Sequence, residues 1–142
     1  MLIKQISIIL KNVPGNLCQL SEILGKEGVN IRAVSVADTS DVSTVRFVVD
    51  DPQKAINILK GNDFSIYETD VLAVETPDHP GGLNAVVRPL MENKINIHYL
   101  YPFLGRINDQ AIVILGTDKI EEAEKVLKKN YVHTLGQEIY SL

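Results

Sequence analysis

The sequence predicts an α+β fold of two tandem ferredoxin-like βαββαβ units, antiparallel sheets with helices on one face, covering residues 1–69 and 70–142. Three observations predict it: the chain repeats itself, each repeat alternates strand-like and helix-like apolar periods, and turn residues fall where the period changes. Pro14-Gly15-Asn16-Leu17 recurs as Pro80-Gly81-Gly82-Leu83 at a shift of 66. The same shift lays Gly28-Val29-Asn30-Ile31 over Lys94-Ile95-Asn96-Ile97, Leu24 over Leu90, and residues 45–49 over residues 111–115. Further on, residues 54–60 match residues 122–128 at a shift of 68, which implies a two-residue insertion. Several anchors in one register argue for duplication.

Each element follows from its pattern. Residues 2–10 are apolar and β-branched and read as a strand. After the Pro-Gly turn, Leu17, Leu20, Ile23 and Leu24 keep helical spacing, as do Leu83, Val86, Val87 and Leu90 in the second half. Residues 31–37 and 43–49 read as two strands joined by the polar turn Asp38-Thr39-Ser40-Asp41. Asp51-Pro52 opens a second helix, the acid as cap and the proline in the first turn. A final strand begins near Phe64 and runs with little punctuation into Val71-Leu72-Ala73-Val74, the first strand of the second unit. Pro89 interrupts the matching helix of the second half, which implies either a bend or a local slip of register.

The strands are apolar on both faces. Ile97, Tyr99, Tyr101 and Phe103 point one way and Leu100 the other, while Ile112 and Ile114 oppose Val113 and Leu115. Helices cover one face of such a sheet, so the sister unit or a second chain is needed for the other, and a homodimer is expected. At 142 residues each half is small for a stable core, which also makes the halves lean on each other.

A hydrophobic fraction of 45%, a charged fraction of 23% and a net charge of −4 describe a globular chain with no bias toward nucleic acid. Lys4, Lys11, Lys26, Arg32, Arg46 and Lys54 are scattered. The cluster Lys125, Lys128 and Lys129 is answered by Glu121, Glu122 and Glu124, the pattern of a solvated helix face with i,i+4 pairs. Cys18 is the single cysteine, so no intrachain disulfide or thiolate cluster is expected. No signal segment or membrane-length apolar run is present, and a cytoplasmic location with no membrane partner is expected.

The repeated feature with chemistry in it is Asn12-Val13-Pro14-Gly15-Asn16-Leu17, between strand and helix. Glycine lets a ligand approach the main chain, and the amides of a first helical turn lack internal partners, so they suit a carboxylate. The Asn12 amide offers a donor and an acceptor, which suits a zwitterion. The plainer reading is a tight helix-entry turn capped by Asn12 or Asn16.

Asn-x-Pro-Gly-x-Leu after a strand, an amphipathic helix, and Gly-Val-Asn-Ile leading into the second strand resemble the ACT domain family, over essentially the whole chain twice. The resemblance implies a βαββαβ fold like that of small stand-alone tandem ACT proteins. It also implies amino-acid binding at the strand–helix turn, closed by the second strand of a neighbouring unit. On this sequence the implied ligand-binding residues are Asn12, Val13, Pro14, Gly15, Asn16 and Leu17, with Asn30 and Ile31 nearby. In the second half they are Asp78, His79, Pro80, Gly81, Gly82 and Leu83, with Asn96 and Ile97. Asp78 stands where the first half has Asn12, and its carboxylate would repel that of a ligand, so unequal half-sites are expected. Serine-binding members often carry a histidine two positions before the asparagine. Leu10 and Thr76 stand there, so the resemblance does not imply serine.

His79, His98 and His133 show no metal-ligand spacing, so neither metal nor cofactor is expected. His79 could donate to a ligand or be an ordinary loop residue, and His98 suits an interface. Cys18 at a helix start could have a lowered pKa or be a buried structural thiol. Asp50 and Asp51 read as strand end and helix cap, and no nucleophile, base and orienting group assemble into a catalytic set. Tyr99 and Tyr101 suit an interface or a pocket wall. The expected function is that of an amino-acid-binding regulatory protein, an allosteric sensor acting on a separate metabolic enzyme or regulator. The alternatives are an assembly module built from ACT-like units, or a small enzyme on the same fold.

Overall fold

Alternating apolar residues make β1 (Ile3–Lys11), β2 (Ile31–Asp38) and β3 (Val42–Val49) amphipathic, and α1 (Asn16–Lys26) and α2 (Pro52–Gly61) bury one stripe each. The computed structural model describes residues 1–107 and 109–142. It divides into a first unit, Lys4–Thr69, and a second, Asp70–Leu142, to which Met1–Ile3 also belong. β4 (Ile66–Thr76) carries the chain from one to the other without a break, as the run from Phe64 to Val74 predicts.

In the first unit β3 lies between β1 and β2, both antiparallel to it, with Ile6 and Val34 flanking Phe47. Its core is Ile6, Ile8, Leu20, Leu24, Val29, Val45, Phe47, Val49, Ala55, Ile56 and Leu59. Asp51 caps α2 by accepting from the Lys54 N–H at 3.1 Å, with Pro52 in the first turn. Both choices are legible in the sequence.

The second unit continues with α3 (Asn84–Glu92), β5 (Ile97–Ile107), β6 (Gln110–Thr117), α4 (Ile120–Lys129), β7 (Thr134–Leu135) and a 3-10 turn, Gln137–Ser141. Its strands run β5-β6-β4-β7, and Leu72, Val74, Val86, Leu90, Val113, Leu115, Ala123 and Leu127 lie in its core. The helix persists through Pro89, and Leu90 is fully buried, as Leu24 is, so the repeat holds its register there. The carbonyl deprived of its donor is that of Ala85, an exposed residue that water can satisfy.

Three expectations need correction. First, pairing places Phe47 opposite Ile6 and Leu115 opposite Leu72, so β3 and β6 match at a shift of 68 rather than 66. The two extra residues therefore fall in the β5–β6 hairpin, before the strand rather than after it, where the register shifts between Pro102 and Arg106. A shift of two preserves every side chain's face, which is why the sequence pattern did not expose it.

Second, Ile97 does not share a face with Tyr99. A bulge between them puts Ile97 and Leu100 together against the helix-side core. Third, Glu124 on α4 is engaged by the amino terminus of Met1 rather than by a lysine one turn away. No helix among the described residues is long and apolar enough to cross a membrane.

Candidate functional site

The turn after β1 is held by side chains that reach outward from it. The Asn12 N–H donates to the Asp41 carbonyl at 2.9 Å and its Nδ2 to the Ser40 carbonyl at 3.3 Å, tying the strand exit to the β2–β3 hairpin. Asn16 Nδ2 reaches back to the Lys11 carbonyl at 2.9 Å, so neither asparagine caps α1. Gly15 precedes the helix in the left-handed region, φ 93°, and the first helical bond runs from Gln19 N–H to its carbonyl at 2.9 Å. Among the described residues, the N–H groups of Leu17 and Cys18 have no partner. They are the donors that the positive end of α1 leaves open.

Beside them lies a cleft of about 120 Å³, lined by Leu10, Lys11, Asn12, Val13, Asn16, Leu17, Val36, Ser43 and Val45. Val13, Leu17 and Val36 are each about half exposed along it. The residues expected from Asn12 to Leu17 are thus brought together, except that Pro14 and Gly15 form the turn rather than the lining. Asn30 and Ile31 lie beyond the far end of α1, whose eleven residues span roughly 16 Å, and take no part in this cleft.

The second turn is built differently. Gly82 N–H donates to the His79 carbonyl at 2.8 Å, Asn84 to Gly81 at 3.1 Å, Ala85 to Gly82 at 3.2 Å, and Val86 and Val87 both to Leu83. Asn84, the counterpart of Cys18, is thereby bonded, whereas the Leu83 N–H, the counterpart of Leu17, has no partner among the described residues. Asp78 is ion-paired with Arg106, which offsets the carboxylate charge, and the backbones of the two turns differ in one donor, open at Cys18 and bonded at Asn84.

The Asn30 and Asn96 pairs have a structural role that their side chains do not reveal. Asn30 N–H donates to Asp50 Oδ1 at 2.9 Å while Asp50 N–H returns a bond to the Asn30 carbonyl at 3.0 Å. Asn96 and Asp118 repeat this with 2.9 and 3.1 Å. Each aspartate thus pins the start of the second strand to the end of the third. Asp50→Ala and Asp118→Ala should each cost about 1–2 kcal/mol in denaturant unfolding. Asn30→Ala should stay within roughly 0.5 kcal/mol, because only its main chain is used.

With this geometry in place, the comparisons decide the family. A sequence model of the ACT domain pair matches residues 1–140. The chain belongs to the ACT domain pair family. The crystal structure of protein BT0572 from Bacteroides thetaiotaomicron is similar at 34% identity and a TM-score of 0.92, over 100% of this chain and 98% of that one. The ligand-free regulatory subunit of aspartate kinase from Thermus thermophilus superposes with a TM-score of 0.65 at 14% identity, over 90% and 92%. The corresponding subunit from Thermus flavus gives 0.59 at 14%, over the same shares. At that identity the likeness shows a common fold. Among curated proteins none matches.

The other candidates of this ACT pair resolve as follows. An open groove of about 520 Å³ runs along α3 and the start of β5, lined by Asn84, Val87, Arg88, Met91, Lys94, Ile95, Asn96 and Ile97. Arg88 there is engaged, its Nε donating to Asn84 Oδ1 at 3.1 Å. His79 Nδ1 sits 2.9 Å from the Pro80 carbonyl, and His98 is exposed on β5. Among the described residues no three histidines, cysteines or carboxylates are grouped to hold a metal ion.

Cys18 is exposed, not the buried thiol expected as one reading. Glu22 accepts from its thiol at 3.6 Å, and that carboxylate pushes the Cys18 pKa up, against the helix-dipole expectation. Tyr101 is buried and stacks obliquely with Tyr99, centroids 6.3 Å apart, while Tyr99 lies over Gly116. Neither ring lines any of the clefts described here.

Proposed function

We propose that this ACT pair, read as two ferredoxin-like units, is an amino-acid-binding regulatory protein with no catalysis of its own, acting on a separate enzyme or regulator. The observation that carries the reading is the pair of unpartnered Leu17 and Cys18 N–H groups at a helix start beside an apolar cleft. Such donors suit a ligand carboxylate, and the free Asn12 Oδ1 suits an ammonium. A regulatory role agrees with the names of the aspartate kinase subunits that share the fold. A ligand acts on a partner only through its differential affinity for two arrangements of the protein. The homodimer and the cytoplasmic location belong to this proposal. So do the remaining turn residues, Asp78 to Leu83, and the Asn30–Ile31 and Asn96–Ile97 pairs, as contacts to a neighbour's ligand.

A thermal-shift screen with the twenty amino acids tests it. Saturation at about 100 times Kd stabilises the binding form by roughly 2.7 kcal/mol, a shift of several degrees. No shift with any of them at millimolar concentration would favour the second reading, an assembly module.

The two turns should also differ in solution. Asn12→Ala should weaken binding roughly fivefold to tenfold by calorimetry, whereas Asp78→Ala should leave it nearly unchanged. Equal losses would sink the inequality.

A further inference from the structure

The outer face of α4 carries charges that the fold leaves unanswered. Ala123 and Leu127 turn the opposite face into the core. Glu121, Glu122, Lys125, Lys128 and Lys129 are all exposed, and among the described residues none of these five side chains has an ion-pair or hydrogen-bond partner. Glu124, one turn before Lys128, is held by the Met1 amino terminus. Two acids therefore stand at the start of the helix and the bases toward its end, each group without its opposite.

Their spacing makes the face complementary to itself. Glu121 and Lys128 are two helical turns apart, roughly 10 Å along the axis, and so are Glu122 and Lys129. Two turns return the chain to nearly the same side, so each acid lies in line with one base. A second copy of α4 laid antiparallel, about a two-fold axis near Lys125, sets Glu121 against Lys128 and Glu122 against Lys129. The symmetry repeats both pairs. A parallel copy would set acid on acid and base on base. Lys125 falls on the axis, where its long stem carries the ammonium out to water.

The helix dipole accounts for the order of these charges but not for the residue that follows them. Tyr131, just past the helix, is 97% exposed with φ 61°, a left-handed conformation that costs a bulky residue free energy. The first unit has Asp63 at the same turn, φ 64°, a residue type that tolerates it. So exposed a ring gains no packing to offset that cost. In the antiparallel arrangement it meets the start of the other copy's helix, where a groove of about 300 Å³ is lined by Lys119, Ile120, Glu121 and Glu122. We infer that this ACT pair dimerises through antiparallel α4 helices, with Tyr131 of each copy seated at the helix start of the other as its anchor. The inference gives the homodimer proposed above its interface and rests on that homodimer, not on amino-acid binding.

Analytical ultracentrifugation of the full chain tests it. The chain should form a dimer whose Kd rises with salt, as exposed ion pairs are screened. Glu121→Lys with Glu122→Lys, or Lys128→Glu with Lys129→Glu, sets like charges against each other and should weaken the dimer at least about tenfold. Mixing these two variants restores every pair and should give a heterodimer about as tight as the original. A dimer that keeps its Kd within about threefold in either variant, or a mixture that stays monomeric, overturns the interface and leaves the homodimer to another surface. A chain monomeric at every concentration overturns both, with amino-acid binding untouched.

Tyr131→Asn gives a second readout. It should weaken the dimer about tenfold, as loss of an anchor does. In the monomeric Lys128→Glu, Lys129→Glu chain the same substitution should unfold at an equal or higher denaturant concentration, because asparagine accepts the left-handed turn. A dimer unchanged by Tyr131→Asn, or a lower midpoint in the monomer, would assign the ring to the scaffold and overturn its role as anchor.

Discussion

Replacing Gly82 with alanine is expected to destabilise the second unit by about 3 kcal/mol, as overpacking against parts that cannot move. A Cβ at that position would stand 1.9 Å from the Pro77 carbonyl oxygen, 2.8 Å from its carbon and 3.0 Å from the His79 carbonyl oxygen. All three are backbone atoms. The Gly82 N–H is itself bound to the His79 carbonyl at 2.8 Å, so opening the turn to admit a methyl group also breaks that bond. Gly15 and Gly81 supply the contrast. Their φ values are +93° and +82°, with open space where a Cβ would be, so alanine there costs only the left-handed conformation, roughly 1–2 kcal/mol. Denaturant midpoints of the three alanine variants check this. A Gly82→Ala variant no less stable than Gly81→Ala would show that the close approach to Pro77 is not present in solution.

The case of Gly82 also marks where sequence reasoning stops. Pro80-Gly81 was legible as a turn because its residue types are themselves the signal, and Gly81 occupies the left-handed position that glycine favours. Gly82 stands where the first unit has Asn16, and nothing local distinguishes a permissive position from one forced by a carbonyl five residues earlier. The strands, the helices and the Asp51 cap were legible because each rests on a period or a neighbour in sequence.

The candidate site was legible only in part. The Asn12–Leu17 turn was visible as a motif, but the pairing that puts Ser43 and Val36 beside it depends on strand register across 24 to 33 residues. The aspartates that bind the Asn30 and Asn96 amides left a faint trace, an acid closing the third strand in both halves. It could be aligned only once the shift of 68 was known. The bulge after Ile97 had no signature, since no glycine or proline adjoins it and Ile97 and Tyr99 are both good strand formers.

Truncating Phe47 to alanine is expected to cost about 3–5 kcal/mol, a large part of the roughly 5–15 kcal/mol that holds a domain together. The ring is 1% exposed at the centre of β3, between Ile6 on β1 and Val34 on β2. It shares its cluster with Leu20 and Leu24 of α1 and with Ala55, Ile56 and Leu59 of α2, so its removal leaves a cavity walled by every layer of the unit. The second unit indicates what a tolerable replacement is. Leu115 holds the same place between Leu72 and Leu100, so Phe47→Leu should cost only about 1–1.5 kcal/mol. Val45 and Ser43, which floor the cleft, stand two and four residues from Phe47 on the same face of the same strand. Phe47→Ala should therefore lose amino-acid binding together with its unfolding midpoint, while Asn12→Ala weakens binding at a stability cost of only about 1 kcal/mol, that of its bond to the Ser40 carbonyl. If Phe47→Ala bound ligand with full affinity while unfolding several kcal/mol more easily, the cleft would not depend on the β3 core, and the site would have to be sought elsewhere on the chain.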